Sequence, residues 1–264
     1  MLGAIIGDIA GSIYEFNNIK TEDFTPFEGK CFFTDDTVMT VAVADALMSG
    51  KRDPKKTEAC MIKSMKKFGK SYPNAGYGGR FSAWLLNPDP KPYDSFGNGS
   101  AMRVSPVAWY FHSLEKVQQF AEISAKVTHD HPEGIKGAVA IAGCIYRLRV
   151  GASKEDVRAY ASRFYDLNFT LDDIRERYTF DVSCAGSVPQ AIEAFLEGGS
   201  FTGVISNAIS IGGDSDTIAA IAGSIAEAFY PIPQTLRGEM LDRLDPFLLD
   251  TIADSIDALV RRAL

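Results

Sequence analysis

The chain has 264 residues, 46 % hydrophobic and 23 % charged, with 27 basic against 34 acidic side chains and a formal net charge of -7. That composition excludes a disordered chain, and the acidic balance without a dense basic run argues against a nucleic-acid backbone as the primary partner. The four cysteines, Cys31, Cys60, Cys144 and Cys184, are widely spaced with no Cys-x-x-Cys pair. They read as reduced core residues of a cytoplasmic protein, not as a disulfide frame or zinc site.

The opening residues are apolar but lack a basic leader, and Asp8 interrupts them, which is not the pattern of a signal peptide. Spacing predicts a first helix over residues 2–16. On it Asp8, Ser12 and Glu15 fall at i, i+4 and i+7 on one polar face, while Ile5, Ile6, Ile9 and Ile13 cover the rest. Gly3, Gly7 and Gly11 recur every four residues and permit close approach of another backbone; no Gly-Lys-Ser/Thr ending follows, so this is not a P-loop. A long loop over 17–34 carries Lys20, Glu22, Asp23 and Glu28.

Thr34-Asp35-Asp36-Thr37 opens the next predicted helix, 36–48, and Asp53-Pro54 starts another over 54–69. Residues 71–99 form a second long irregular stretch, of the kind that tends to carry function in compact domains. Phe96-Gly97-Asn98-Gly99-Ser100-Ala101-Met102-Arg103 leads into a helix over 99–111. Gly-Asn-Gly is expected to hold positive-φ backbone and, with the helix N-terminus, to form an anion-binding nest. The alternative is a simple chain turn with Arg103 paired to an acid elsewhere.

Helices follow at 114–127 and 134–149, separated by His129-Asp130-His131-Pro132. A lone His-x-His is weak evidence for chelation, so His129 reads as a substrate-contacting or loop-ordering residue, and His131 and His112 as structural. The remaining helices are expected at 154–166, 187–198, 202–210, 216–229, 233–243 and 247–262. Residues 137–146 and 217–229 come nearest to a membrane span, but glycine, alanine and polar positions make them buried helices instead. With no alternating strand, linker or repeat, the expected fold class is all-α and the expected organisation is one domain, 1–264.

A second acidic segment, Gly212-Gly213-Asp214-Ser215-Asp216-Thr217, opens the small-residue helix at 216–229. Either acidic segment alone reads equally as a helix cap. Together they read as a shared site, because carboxylates at the head of a buried helix need compensation and no Lys or Arg lies nearby in sequence. Oxygen ligands without Cys or His point to Mg2+, Mn2+ or Ca2+ and away from zinc.

Gly7-Asp8 with Glu15, Thr34-Asp35-Asp36-Thr37, Gly97-Asn98-Gly99-Ser100-Ala101-Met102-Arg103, Thr128-His129 and Gly212-Gly213-Asp214-Ser215-Asp216-Thr217 together resemble the ADP-ribosylglycohydrolase family, in its order and across most of the chain. The resemblance implies a single orthogonal helical domain around a cleft with two Mg2+ or Mn2+ ions. It implies that Thr34, Asp35 and Asp36 bind metal from one side and Asp214, Asp216 and Thr217 from the other. Glu15 and Asp36 are the implied catalytic carboxylates, Glu15 matching an acid that gates the site in some members. Gly97, Asn98, Gly99, Ser100, Met102 and His129 are the implied contacts to the diphosphate and ribose.

The implied activity is metal-assisted hydrolysis of the bond between ADP-ribose and its acceptor, without a covalent enzyme intermediate. The implied partner is an ADP-ribosylated protein or a small ADP-ribose conjugate, with no membrane involved. An acidic rim on the 17–34 loop would suit a guanidinium leaving group, which puts ADP-ribosyl-arginine ahead of ADP-ribosyl-serine and O-acetyl-ADP-ribose. The competing readings are a non-catalytic ADP-ribose-binding protein of the same fold and a metal-dependent nucleotide phosphohydrolase.

Overall fold

The apolar periodicity of the chain resolves into helices throughout, and the computed structural model describes residues 1–263. In order these are α1 (Leu2–Gly11), α2 (Asp35–Gly50), α3 (Pro54–Ser71), α4 (Gly79–Leu86), α5 (Gly99–Met102), α6 (Ser105–Tyr110), α7 (Leu114–Lys126) and α8 (Pro132–Arg149). There follow α9 (Lys154–Ala161), α10 (Leu171–Arg175), α11 (Cys184–Glu197), α12 (Phe201–Ser210), α13 (Ser215–Ala226), α14 (Gln234–Leu241) and α15 (Pro246–Ala263). The fold is all-α. Among the described residues the extended pairing is limited to an isolated antiparallel bridge between Gly97 and Ser183, and no helix is long and apolar enough to cross a membrane.

Several expected helices end early, 154–166 at Ala161 and 216–229 at Ala226 among them, and two others depart from expectation in the local bonding. The helix expected over 2–16 ends at Gly11, where Tyr14 N donates to Gly11 O (2.8 Å) in a turn that does not continue the helical ladder. Ser12 Oγ donates to Ile9 O (2.9 Å), and Asn18 Nδ2 donates to Tyr14 O (2.6 Å) and Glu15 O (2.9 Å). Glu15 therefore leaves the helix and sits on the turn that follows. The expected 99–111 helix breaks into α5 and α6 because Pro106 has no N–H to give the Met102 carbonyl, which accepts from Thr40 Oγ1 instead (3.4 Å). Two short helices, α4 and α10, form where loops were expected. The second carries a reciprocal capping box between Thr170 and Asp173 that its five-residue length conceals.

The molecule is organised around α13, which is buried along its whole length and packs against α1, α11 and α12. The contact with α1 is backbone against backbone. A Cβ on Gly3 would overlap the Gly223 carbonyl, one on Gly7 the Ala219 carbonyl, and one on Gly11 would lie 2.5 Å from Asp216 Cα. The four-residue glycine spacing is thus a groove for a partner helix, and it sets the head of α13 beside the C-terminal end of α1. Helix α2 packs on α3 and touches both α1 and α13. Cys31, Cys144 and Cys184 are buried and Cys60 is half-buried, all four as free thiols.

This geometry gives a direct expectation. Gly7→Ala should destabilise the protein by about 1–3 kcal/mol or more, because the methyl meets a backbone that cannot yield. Gly238→Ala, whose Cβ meets nothing within 4 Å, should be neutral or stabilising by up to about 1 kcal/mol. Thermal unfolding followed by circular dichroism checks both; equal melting temperatures for Gly7→Ala and wild type would contradict the groove.

Candidate active site

The site is assembled on Asp8. On the expected helix this residue lay on a polar face; in the structure it is fully buried and both its oxygens accept from the head of α2. Thr34 donates from N (2.9 Å) and Oγ1 (2.7 Å), and Thr37 from N (3.0 Å) and Oγ1. Burial pushes the carboxyl upward, while the donors from Thr37 and Thr34 oppose that shift. Asp8 is thereby a fastener between helices, three of the four bonds ending on Oδ2 and one on Oδ1.

Fixing the start of α2 fixes the first acidic segment. Thr34 is the N-cap, its Oγ1 accepting from Asp36 N (3.3 Å). Asp35 follows at the first helical position, its N–H donating to Ala75 O (2.7 Å). Asp36 is buried; its Oδ2 accepts from Thr217 Oγ1 (3.2 Å), and its Oδ1 has no partner.

The second segment enters through a tight turn at Gly212 (φ 68°) and Gly213 (φ 74°), a left-handed conformation that favours glycine. Asn18 clasps this turn, accepting from Gly213 N (2.7 Å) on Oδ1 and donating to Gly213 O (3.0 Å) from Nδ2. Asp214 then occupies the N-cap of α13 but makes no cap bond with its side chain. Its Oδ2 accepts instead from Asn98 Nδ2 (2.6 Å), a donor that also reaches Ser187 Oγ (2.9 Å). Asp216 Oδ1 accepts from Thr217 N (2.9 Å). Glu15 completes the cluster, with carboxylate oxygens of Glu15, Asp214 and Asp216 within 4.8 Å of one another.

The structure therefore brings Glu15, Asp214 and Asp216 together, and Thr217 joins them to Asp36 and its neighbours. No lysine or arginine pairs with any of these carboxylates among the described residues. Asp35 and Asp36 are pushed well up, first by burial and then by the charge of Asp8. Asp216 is pushed up by burial and by Asp214, and Glu15 to about 7 by burial, Asp214 and Asp8. Packing this much like charge out of water is unfavourable without a counter-ion. The donor set is all oxygen, and a buried carboxylate oxygen of Asp36 has no protein partner, so these residues fit a hard divalent cation.

The Gly97–Gly99 loop departs from expectation. Neither glycine has a positive φ, and the helix behind the loop is the four-residue α5. Their small size serves proximity: a Cβ on Gly99 would lie 3.1 Å from His129 Nε2, and one on Gly97 3.4 Å away. Asn98 is tied to Val182 O through its N–H (2.8 Å) and, through its side chain, to Asp214, so it links this loop to the carboxylates. Ser100 is buried and donates to Gly134 O (2.6 Å); Met102 is buried beneath the loop. His129 is buried against Tyr93, their rings 5.9 Å apart. Arg103 pairs with no acid; its Nη2 donates to Ser124 O (2.9 Å) and Thr128 Oγ1 (2.7 Å). His131 caps α8 by accepting from Glu133 N (3.0 Å).

Sequence reasoning missed one wall. Residues 75–79 run beside Asp35: Ala75 O accepts its N–H, Gly76 (φ 102°) lies against its Oδ1, and the buried Tyr77 hydroxyl has no partner. The run Gly76-Tyr77-Gly78-Gly79 was the available signal, inside the long 71–99 stretch. The acidic rim on the 17–34 loop is also reduced. Lys20 Nζ is spent on the carbonyls of Tyr178 (2.7 Å) and Ile211 (2.5 Å), and Glu22 pairs with Arg175 (2.6 Å).

Comparison with known proteins places this geometry in context. The ADP-ribosylglycohydrolase family profile matches residues 1–264. The chain is 28 % identical to mouse (Mus musculus) ADP-ribosylhydrolase ARH3 over 311 aligned positions, covering 89 % of this chain and 83 % of that protein. It is 26 % identical to ADP-ribosylarginine hydrolase Tri1 of Pseudomonas putida (strain GB-1), covering 88 % of this chain and 70 % of that one. A solved structure described as an ADP-ribosylglycohydrolase-related protein complex superposes with a TM-score of 0.70 at 23 % identity, covering 100 % of this chain and 97 % of that chain.

The crowded carboxylates set a pH dependence. Glu15 is raised from 4.5 to about 7, so its contribution to stability is complete below the lower value and lost as pH rises through the upper one. In a chelator, the melting temperature should fall between about pH 5 and pH 8, and Glu15→Gln should flatten that fall. A wild-type melting temperature independent of pH over this window would contradict the electrostatic picture.

Proposed function

The chain belongs to the ADP-ribosylglycohydrolase family, and from that premise we propose that it hydrolyses the glycosidic bond joining ADP-ribose to an acceptor, using two Mg2+ or Mn2+ ions. The observation that carries the reading is the uncompensated carboxylate cluster with its partnerless Asp36 Oδ1. Asp214, Asp216 and Thr217 would hold metal from the α13 side, and Thr34, Asp35 and Asp36 from the α2 side. Bound there, the ions would orient the hydroxyls of the ribose next to the scissile bond and acidify a water.

The protein's own groups divide the remaining work by exposure. Asp36 is buried beneath Thr217, which suits it to holding charge in place. Glu15 is half-buried on a turn at the lip, with a pKa near neutrality, which suits it to exchanging the proton between water and leaving group at its carboxylate. Asn18, by clasping Gly213, keeps the Glu15 turn docked on the α13 segment. The diphosphate and ribose would lie against the Gly97–Ser100 loop and His129, which Asn98 ties to Asp214, and Tyr77 lies near Asp35.

ADP-ribosyl-arginine remains the first substrate to test, with ADP-ribosyl-serine and O-acetyl-ADP-ribose beside it. Support comes from the likeness to Tri1; the pairing of Glu22 with Arg175 removes one of the acids that would have greeted a guanidinium. Residence in the cytoplasm is proposed from the free thiols alone.

A mass-spectrometric panel of the three conjugates, with Mg2+ or Mn2+ and with EDTA, tests the reading. Free ADP-ribose should appear only with metal. Release of AMP or phosphate from nucleotides would favour a phosphohydrolase, and calorimetric binding of ADP-ribose without turnover would favour a non-catalytic binder.

Glu15→Gln should lower kcat by about 10²–10⁴-fold. Asp35→Asn and Asp214→Asn should each abolish turnover, and above about pH 8, where Asp35 ionises, Asp35→Asn should raise the melting temperature of the metal-free protein by removing one buried like charge. Activity retained in both would remove the two-ion proposal.

A further inference from the structure

Arg103 is a fully buried cation, 1 % exposed, and no carboxylate pairs with it among the described residues. Its Nε also lacks a partner. Burying an unpaired guanidinium costs several kcal/mol, and filling space does not require a charge. What it touches shows its use. Nη2 donates to Thr128 Oγ1 at 2.7 Å, and Thr128 Oγ1 lies 2.6 Å from His129 Nδ1. His129 Nε2, on the far side of the ring, is the atom nearest to an added carbon at Gly99 (3.1 Å) and lies 3.4 Å from one at Gly97. The chain of contacts leaves the Gly97–Arg103 segment at its last residue and returns to it at its first glycines.

The hydrogen-bond inventory selects one proton arrangement. Thr128 has one hydroxyl hydrogen, with Ala125 O at 3.5 Å and His129 Nδ1 at 2.6 Å as acceptors. Ala125 O is the distant acceptor and already takes the N–H groups of Thr128 (3.1 Å) and His129 (2.8 Å), while Arg103 occupies one lone pair of Oγ1. Thr128 therefore donates to Nδ1, and a neutral imidazole then carries its hydrogen on Nε2. The ring is held neutral: burial lowers its pKa well below the usual value, and the positive charges of Arg103 and Arg80 lower it further.

We propose that Arg103 and Thr128 are positioning residues that lock His129 in its Nε2–H form, so that it presents a fixed donor to an oxygen of the ligand held at the Gly97–Ser100 loop. This rests on the ADP-ribose reading of the cleft for the ligand's identity, though not for the tautomer. The donor discriminates by charge and lone pairs, favouring a phosphate or ribose oxygen over any N–H group.

The test uses the full chain, 15N-labelled, with long-range imidazole correlations by NMR and the His129 signals assigned by their loss in His129→Gln. Wild type should show the Nε2–H form alone. Thr128→Val should yield Nδ1–H or a mixture and weaken ADP-ribose binding by about tenfold or more in calorimetry, the worth of one hydrogen bond to a charged acceptor. Thr128→Ser should restore both readouts. Arg103→Met should mix the tautomers as Thr128→Val does, and Arg103→Lys should preserve the Nε2–H form. Nδ1–H in wild type, or an unchanged tautomer in folded Thr128→Val, overturns the proposal. A wild type that shows Nε2–H and does not bind ADP-ribose overturns the ligand reading and leaves the lock standing.

Discussion

A single buried carboxylate, Asp8, sets the geometry on which everything else depends. Its two oxygens absorb the backbone and hydroxyl donors of Thr34 and Thr37. This satisfies N–H groups that any helix leaves open at its start, and places a negative charge at the positive end of α2. The same bonds decide where Asp35 and Asp36 point. Because α1 is itself wedged by glycines against α13, the position of one acidic segment is transmitted through a rigid pair of helices to the other. The carboxylates of the candidate site are held close to each other by packing, against their own repulsion.

That arrangement explains the division between fasteners and working groups. Asp8 and Asn98 are buried and engaged with the protein, and Asn18 clasps the Gly213 turn from the surface. Glu15, Asp35 and Asp36 are the opposite, with oxygens that the chain does not satisfy. Burial with complete hydrogen bonding and burial with a deficit are different physical states, and the second is the one that invites a ligand. Asn98 shows why sequence position misleads here: it stands in a loop read as contacting substrate, yet its amide supports Asp214 from behind.

The fold class was legible because helical periodicity and the absence of alternation are strong signals over a long chain. The two acidic segments were legible because a carboxylate at the head of a small-residue helix is an anomaly that burial makes costly. Glu15 stands beside Asp214 and Asp216, though on a turn and not on the expected helix, because the chain leaves the helical ladder after Gly11 and no periodicity encodes that. The glycines of Gly97-Asn98-Gly99 were noticed for torsional freedom and turned out to be needed for clearance beside His129. The wall at residues 75–79 went unseen because its link to Asp35 is a backbone carbonyl, which any residue supplies. The Arg103 relay was invisible for a different reason: it joins residues 25 positions apart through a hydroxyl whose direction only three dimensions define.

The joining of α1 to α13 has a meaning for biosynthesis. Thr217 and Asp36 are 181 residues apart in the chain, and the glycine groove of α1 has no occupant until α13 has been translated. At the roughly 5–20 residues per second of synthesis, the first helix waits some tens of seconds outside the ribosome with its isoleucines and bare backbone unburied. During that interval Asp35 and Asp36 are ordinary solvated acids. A nascent chain that stops short of α13 therefore cannot assemble the carboxylate cluster, because Asp214 and Asp216 are not yet made.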